Sequence, residues 1–170
     1  MVEAVRADAV SSSQNDAGDT LLRFDRPAPI ITLIGEASRR EGVCVGVGAD
    51  SGEGNPRYGV EDYAVRALRR ARSRSGDMPV VVRGRAAESA AWATGLAQLL
   101  FFALARRSEA GWEVSNLVRS GLNQKQAART LNVTEQAVSQ RLRAAGYRET
   151  HNVEPLLLCL LDQAAQPPTR

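Results

Sequence analysis

The sequence predicts an α+β protein in which a mixed N-terminal part is followed by an all-helical C-terminal part. Up to about residue 85, short β-like runs alternate with helical stretches, whereas the chain after Ala86 has the pattern of helices only. The 170 residues are 44% apolar and carry a net charge of +3, which is enough apolar material for one large or two small domains. This composition excludes a wholly disordered protein.

Four short β-like runs in the first part end at Gly, Pro, Asp or Ser, and they cover residues 2–7, 20–25, 43–49 and 79–83. Residues 28–40 and 60–74 have helical character, and in the second of these stretches Val60, Ala64 and Ala67 fall on one face. This order of elements predicts a small antiparallel or mixed sheet with helices on one face.

Residues 86–107 predict a long helix that is apolar over most of its circumference near its end. The segment 86–108 is either a connector buried between the two parts or a dimerisation helix. A second apolar helix, residues 151–165, either docks on the core or joins two copies. No unbroken apolar run, residues 156–161 among them, approaches the roughly 20 residues that cross a bilayer, so no membrane partner is expected.

The segment 109–150 has the spacing of a helix-turn-helix. Asn123 can cap a helix over residues 124–131, and Thr134 can cap a second helix over residues 135–145 after a three-residue turn. The small residue Ala128 falls where two such helices cross most closely. The apolar contacts of this unit are expected from Leu131, Val133, Val138 and Leu142, and those of a preceding helix from Trp112, Val114, Leu117 and Val118.

The outward side of the second helix is polar, and it carries Glu135, Gln136, Ser139, Gln140 and Arg143. Such side chains hydrogen-bond base edges or phosphates in a major groove, which is wide enough to admit one helix. Contacts to backbone phosphates are expected from Gln124, Lys125, Thr134 and Arg141. A plain helical hairpin with a solvated polar face would have the same composition, and it stays open as an alternative.

Two aspartates lie at the ends of β-like runs: Asp8 directly follows residues 2–7, and Asp19 directly precedes residues 20–25. Two carboxylates at neighbouring strand ends could hold Mg²⁺ and a nucleotide, although an aspartate after a strand is also a common turn former. His151 is the only histidine, and Cys44 and Cys159 lie far apart without CxxC spacing. We therefore expect no catalytic residues, no cofactor and no metal site built on histidine or cysteine.

Residues 121–146 resemble the helix-turn-helix of bacterial transcription regulators. The matching positions are Gln124, Ala127, Ala128, Leu131, Asn132, Val133, Thr134, Ala137, Val138, Ser139, Gln140, Arg141 and Leu142. Asn132 stands where a glycine is common, and asparagine tolerates the left-handed conformation that this turn requires. The resemblance implies that Thr134, Glu135, Gln136, Ser139, Gln140 and Arg143 face DNA.

The N-terminal part resembles the SatD family, whose ferredoxin-like domain is similar to the class III nucleotidyl cyclase domain and is followed by a helix-turn-helix in some bacteria. The matching segments are residues 7–12, Gly18 with Asp19, residues 45–48, Tyr58 with Gly59, and residues 80–82. Only residues 11–17 lie between Val10 of the first segment and Gly18 of the second, which is too few for a crossover helix. Asp62 stands four residues before Arg66, where a cyclase has an asparagine. The resemblance therefore implies a shortened ferredoxin-like sheet without catalysis.

Together these observations predict a cytoplasmic, sequence-specific DNA-binding protein and transcriptional regulator that binds double-stranded DNA as a homodimer. The expected divisions are an α+β domain over residues 1–85, the helix 86–108, the DNA-binding domain 109–150 and the C-terminal helix 151–165. Two other readings stay open. One is a nucleotide- or Mg²⁺-binding enzyme or sensor that uses Asp8 and Asp19, and the other is a protein-interaction module.

Overall fold

The computed structural model describes residues 9, 11–14, 18–52, 59–73 and 79–167. The described residues have the mixed α+β character that the sequence predicts, with four short strands and seven helices. The chain divides into two compact units. We call Met1–Phe101 together with Pro155–Arg170 the mixed unit, and Phe102–Glu154 the helical unit.

The four described strands of the mixed unit form two separate pairs rather than the one sheet that the sequence predicts. Strands β1 (Ser11–Gln14) and β2 (Thr20–Arg23) are antiparallel, whereas β3 (Val45–Ala49) and β4 (Val80–Gly84) are parallel. All four side chains of β1 are exposed and polar, so the first pair offers little apolar surface for a larger sheet. Because β1 has no alternation of apolar and polar residues, the sequence does not predict it as a strand. The β-like run at residues 2–7 lies outside the described residues.

Two helices of the mixed unit follow the predicted stretches: α1 (Ala28–Ser38) and α2 (Val60–Ser73). Helix α2 connects β3 to β4 and lies directly on β3, because two glycines remove the side chains that would separate them. A Cβ on Gly46 would be 2.3 Å from the backbone nitrogen of Leu68, and one on Gly48 would be 2.2 Å from the carbonyl oxygen of Val60.

Helices α3 (Ala87–Ala105) and α7 (Tyr147–Ala165) each contribute residues to both units. In the mixed unit, Gln98 of α3 donates through Nε2 to the carbonyl oxygen of Val80 (2.9 Å), which fixes α3 along β4. The last carbonyl groups of α7 accept hydrogen bonds from the loops that follow the two parallel strands: Ala164 from the Ala86 amide (3.1 Å) and Ala165 from the Ser51 amide (3.0 Å). The end of α7 therefore closes the mixed unit.

Helix α7 begins at Tyr147, four residues before the predicted start at residue 151. Gly146 ends the preceding helix in the left-handed conformation (φ 57°), and the amide of Thr150 then donates to the Gly146 carbonyl (3.0 Å), so that a new helix starts at once.

One helix among the described residues, α3, is long and apolar enough by length and composition to cross a membrane. Its mean hydropathy is 1.2, and 33% of the segment is buried in the structure. The core helix of a soluble protein passes the same test. Polar residues such as Ser89, Thr94 and Gln98 interrupt the apolar runs of α3, the longest of which is residues 99–105.

The helical unit contains α4 (Glu109–Arg119), α5 (Gln124–Thr130) and α6 (Glu135–Ala144). Their contacts enclose a small apolar core. The buried members are Val114, Ala127, Ala128, Val138 and Leu142, and the half-buried members are Leu117, Val118, Leu131, Val133 and Tyr147. This core contains every apolar position predicted for the three helices except Trp112, whose ring instead lies beneath the guanidinium group of Arg107 (4.7 Å).

Candidate nucleic-acid interface

The starts of α5 and α6 are fixed by side-chain caps, as the sequence predicts. The Asn123 side chain accepts a hydrogen bond from the Gln126 amide (2.9 Å), and the Gln126 side chain accepts one from the Asn123 amide (2.9 Å), which completes a capping box. At the start of α6, the Thr134 hydroxyl accepts a hydrogen bond from the Ala137 amide (3.1 Å). Both predicted caps are confirmed, and each defines where its helix begins.

The turn between α5 and α6 depends on one residue in the left-handed conformation. Asn132 has φ 51° and is the only non-glycine residue with positive φ in the described part of the chain. Beside it, the Val133 amide donates to the carbonyl oxygen of Ala128 (3.0 Å), which closes the end of α5. The predicted left-handed conformation of Asn132 is confirmed.

The polar side of α6 is the side that the core leaves free. Val138 and Leu142 are buried. Gln136, Gln140 and Arg143 are spaced by four and three residues, and all three are exposed. At 3.6 residues per turn these three side chains share one face, roughly opposite Val138. We call Gln136, Gln140 and Arg143 the α6 stripe.

The other predicted residues of α6 flank this stripe. Ser139 lies half-buried at the edge of the α6 stripe. Ala144, at the C-terminal end of α6, has only a methyl group as its side chain. Thr134 and Glu135 are exposed at the N-terminal end, where the Thr134 hydroxyl is already engaged in capping. The structure thus brings the predicted base-reading residues to one side of a single helix.

Two cations of α5 lie beside the N-terminus of α6. Lys125 and Arg129, both exposed, border a shallow depression of about 370 Å³, whose remaining lining residues are Ala128, Asn132, Val133, Thr134 and Glu135. The unpaired amide groups at the start of a helix carry partial positive charge, so this depression favours an anion, and the carboxylate of Glu135 at its rim opposes one. Arg129 is not among the residues that the sequence predicts to contact phosphates. Its spacing of four residues from Lys125, which puts both on one side of α5, is the signal that could have revealed it.

Arg141 and Gln124, which are predicted to contact phosphates, have different surroundings. The guanidinium group of Arg141 is half-buried and lies 3.7 Å from the carboxylate of Glu113 on α4. Gln124 is exposed at the first position of α5. In this structure Arg141 therefore joins α6 to α4, whereas Gln124 and Lys125 remain on the surface.

A buried arginine holds the far end of α6 in place. Arg107 is 8% exposed, and its guanidinium group donates to the carbonyl oxygen of Ala145 (3.0 Å) and to the hydroxyl of Thr150 (3.0 Å). Burial lowers the pKa of Arg107, and the charge of Arg119 lowers it further, yet an arginine stays protonated at neutral pH. Arg107 thus connects the C-cap of α6 to the first turn of α7.

The predicted nucleotide or metal pair is only partly described. The carboxylate of Asp19 forms two hydrogen bonds with the guanidinium group of Arg72 on α2, and this ion pair raises the pKa of Arg72. Asp8 lies outside the described residues. Among the residues that are described, no group of three or more His, Cys, Asp or Glu side chains is placed to hold a metal ion.

Two further residues singled out by the sequence have local contacts. His151 lies on α7, where its ring stacks on Tyr147 with centroids 5.6 Å apart and its Nδ1 lies 3.5 Å from a carboxylate oxygen of Glu154. Asp62 accepts a hydrogen bond from the amide of Gly59 (3.0 Å) at the start of α2.

No protein-family model, curated protein or solved structure matches this chain.

Proposed function

We propose that this protein binds double-stranded DNA in a sequence-specific manner, as a transcription regulator that reads the major groove with α6. The observation that carries the proposal is the α6 stripe. Gln136, Gln140 and Arg143 are exposed together on a helix whose opposite side is packed against α4 and α5. A helix that is anchored on one side and polar on the other can enter a groove without exposing its core.

The side chains of the α6 stripe suit base recognition. Glutamine can make two hydrogen bonds to the edge of an adenine, and arginine can make two to a guanine. The stripe places two glutamines and one arginine within about two helical turns. We therefore expect a short recognition site that contains at least one G·C and one A·T pair that contribute to specificity.

Lys125 and Arg129 supply the phosphate contacts of the proposed complex. Both side chains are exposed next to the N-terminus of α6, so a phosphate seated there would lie at the border of the groove that α6 enters. Phosphate contacts add affinity for any sequence, because they release counterions from DNA. Affinity and specificity are therefore assigned to different residues, which makes the proposal testable one substitution at a time.

The decisive experiment is selection of bound sequences from random duplex DNA, followed by affinity measurements at two salt concentrations. Arg143→Ala should cost about 1–3 kcal/mol on the selected sequence and relax specificity at one position. Lys125→Ala and Arg129→Ala should each weaken binding to all sequences. Removal of one phosphate contact should reduce the loss of affinity between 50 and 200 mM salt by about threefold.

A matched control is Arg69→Ala, which removes an exposed arginine from α2 in the mixed unit. This variant should bind as the wild type does. If the wild type enriches no sequence, or if Arg143→Ala binds selected and random DNA as the wild type does, α6 is not the reading helix. Binding that is insensitive to salt would instead favour a protein-interaction module, because an apolar interface releases no counterions.

We further propose that the mixed unit is a shortened ferredoxin-like domain of the SatD type, with no enzymatic activity, in a cytoplasmic protein. The order of the sequence motifs supports this. Among the described residues the nucleotide alternative gains no support, since the carboxylate of Asp19 is occupied by Arg72. Thermal stabilisation by a nucleotide with Mg²⁺, lost in Asp19→Asn, would restore that alternative.

A further inference from the structure

Helix α3 has an exposed apolar face that the described residues do not cover. Its buried face contains Ala90, Ala93, Ala97 and Leu100. The side away from these residues exposes 56% of Trp92, 62% of Leu99 and 58% of Phe102. Large apolar side chains grouped on one face mark an interaction surface more often than a solvated one.

The spacing along this face is that of a helix that packs against another helix. Trp92, Gly95, Leu99 and Phe102 are separated by three, four and three residues, the repeat of the contacting positions in a pair of supercoiled helices. Glu88 lies four residues before Trp92, and Arg106 lies four residues after Phe102, so that the stripe has a charged residue at each end. We call these six residues the α3 stripe.

Contacts among the described residues do not explain why a glycine, Gly95, stands in the interior of α3. Glycine in a helix interior destabilises the helix relative to alanine. A Cβ added to Gly95 would meet no described atom within 4 Å, so packing within the described part of the chain does not require a glycine here. The open space above Gly95 can instead accommodate a side chain from another molecule.

The α3 stripe is complementary to itself when two copies run antiparallel. In a two-fold pair centred on position 97, residues equally distant from that position face each other. Gly95 then faces Leu99 of the other copy, so that each leucine fills the gap above a glycine. Trp92 faces Phe102, which places aromatic rings together at both ends.

The charges at the ends of the stripe fit the same arrangement. Glu88 and Arg106 are both exposed and both nine residues from position 97, so each glutamate faces an arginine of the other copy. The guanidinium group of Arg106 already lies over the ring of Phe102 (5.2 Å), at the end of the stripe. In a parallel pair Glu88 would instead face Glu88, Arg106 would face Arg106, and the two gaps at Gly95 would face each other unfilled.

We propose that the α3 stripe is a homodimer interface in which two copies of α3 pack antiparallel about a two-fold axis. Gly95 receives Leu99 of the second copy, and Glu88 pairs with Arg106 of the second copy. The proposal is independent of DNA binding, although a dimer would double the DNA-contacting surface. Its tests contain no DNA, so their failure would leave the proposed function untouched.

The first test is the mass of the full-length protein in solution by sedimentation equilibrium. The wild type should be a dimer, and Leu99→Glu should be a monomer with an unchanged circular dichroism spectrum. Leu156→Glu, the same change at a leucine of α7 that is 54% exposed, should remain a dimer. A wild type that is monomeric at about 100 μM would overturn the proposal, as would a Leu99→Glu variant that dimerises normally.

Gly95→Leu separates dimerisation from folding. Because the space above Gly95 is open within the chain, a leucine there should leave the isolated chain at least as resistant to heat as the wild type. In the dimer the new side chain would occupy the place of the incoming Leu99, and the dissociation constant should rise by about tenfold or more. A Gly95→Leu variant that dimerises as tightly as the wild type would contradict the proposed packing.

A charge exchange tests the antiparallel register. Glu88→Arg and Arg106→Glu should each weaken the dimer, and the double variant should regain most of the lost affinity, because each new arginine again faces a glutamate. In a parallel pair the exchange restores nothing. Sedimentation of the wild type with lipid vesicles completes the test, since a monomer that binds vesicles through this face would make α3 a membrane contact and overturn the dimer.

Discussion

Replacing Gly46 by alanine tests whether α2 lies directly on β3. The added methyl group would be 2.3 Å from the backbone nitrogen of Leu68 and 2.6 Å from the carbonyl oxygen of Ala64. Both are backbone atoms of α2, so no side-chain rotation can relieve the clash. The whole helix must move away from the strand by about 1 Å to reach an ordinary contact distance.

That movement would disturb the small core that α2 shares with β4. Ala67 and Ala71 of α2 are buried against Val81, with Cys44 beside them. Overpacking in a core costs about 1–3 kcal/mol, and we expect a value near 3 kcal/mol here because backbone rather than side chain must shift. For a chain of 170 residues, this corresponds to a decrease in Tm of about 6–12 °C.

Thermal denaturation followed by circular dichroism measures this loss. Gly59→Ala is a matched control near the start of the same helix, since a Cβ there would meet only a carboxylate oxygen of Asp62, at 3.9 Å. Its free energy of unfolding should change by about 1 kcal/mol at most. If Gly46→Ala melts at the temperature of the wild type, α2 does not rest on β3, and the close packing described here is wrong.

Three further substitutions test the helical unit. Ser115→Ala should stabilise the protein by about 1 kcal/mol in chemical denaturation, because the buried Ser115 hydroxyl has no hydrogen-bond partner among the described residues; a loss of stability would show that the hydroxyl is bonded. Arg107→Met should lower the free energy of unfolding by about 2–4 kcal/mol, since two hydrogen bonds of a buried guanidinium group are lost, whereas Arg148→Met, at an exposed arginine of α7, should leave it nearly unchanged. Equal melting temperatures for these two variants would contradict the role of Arg107. Asn132→Val should cost about 1–2 kcal/mol because of the left-handed backbone, and Asn132→Gly should not; a valine variant as stable as the glycine variant would refute the turn conformation.

The parts of the fold that the sequence predicts well depend on neighbours along the chain. Asn123 and Thr134 cap their helices because a side-chain oxygen two or three bonds from Cα reaches an amide three residues ahead. The conformation of Asn132 and the alternation of buried and exposed positions in α6 are local in the same sense. For these features the residue types and their spacing are sufficient.

The features that the sequence does not predict depend on distant contacts. The sequence does not distinguish Arg107 from the other arginines, because its hydrogen-bond acceptors, on Ala145 and Thr150, are about forty residues away along the chain. The close approach of α2 to Gly46 depends in the same way on Ala64 and Leu68, which lie about twenty residues further along the chain.

The candidate site divides in the same way. The α6 stripe follows from helical spacing, and so does its separation from Val138 and Leu142. The proximity of Arg129 to the N-terminus of α6 depends on how the turn orients two helices. The ion pair between Arg141 and Glu113 depends on where α4 lies, so the sequence does not predict it.

The closure of the mixed unit by the end of α7 has a consequence for how the protein is made. Translation delivers Phe102–Glu154 before Pro155–Arg170, yet the latter segment belongs to the mixed unit and bonds to the amides of Ser51 and Ala86. The helical unit is therefore complete in the nascent chain while the mixed unit still awaits its last helix. A transcript broken after the codon for Glu154 would yield a polypeptide that has α4, α5 and α6 but lacks the segment that completes the mixed unit.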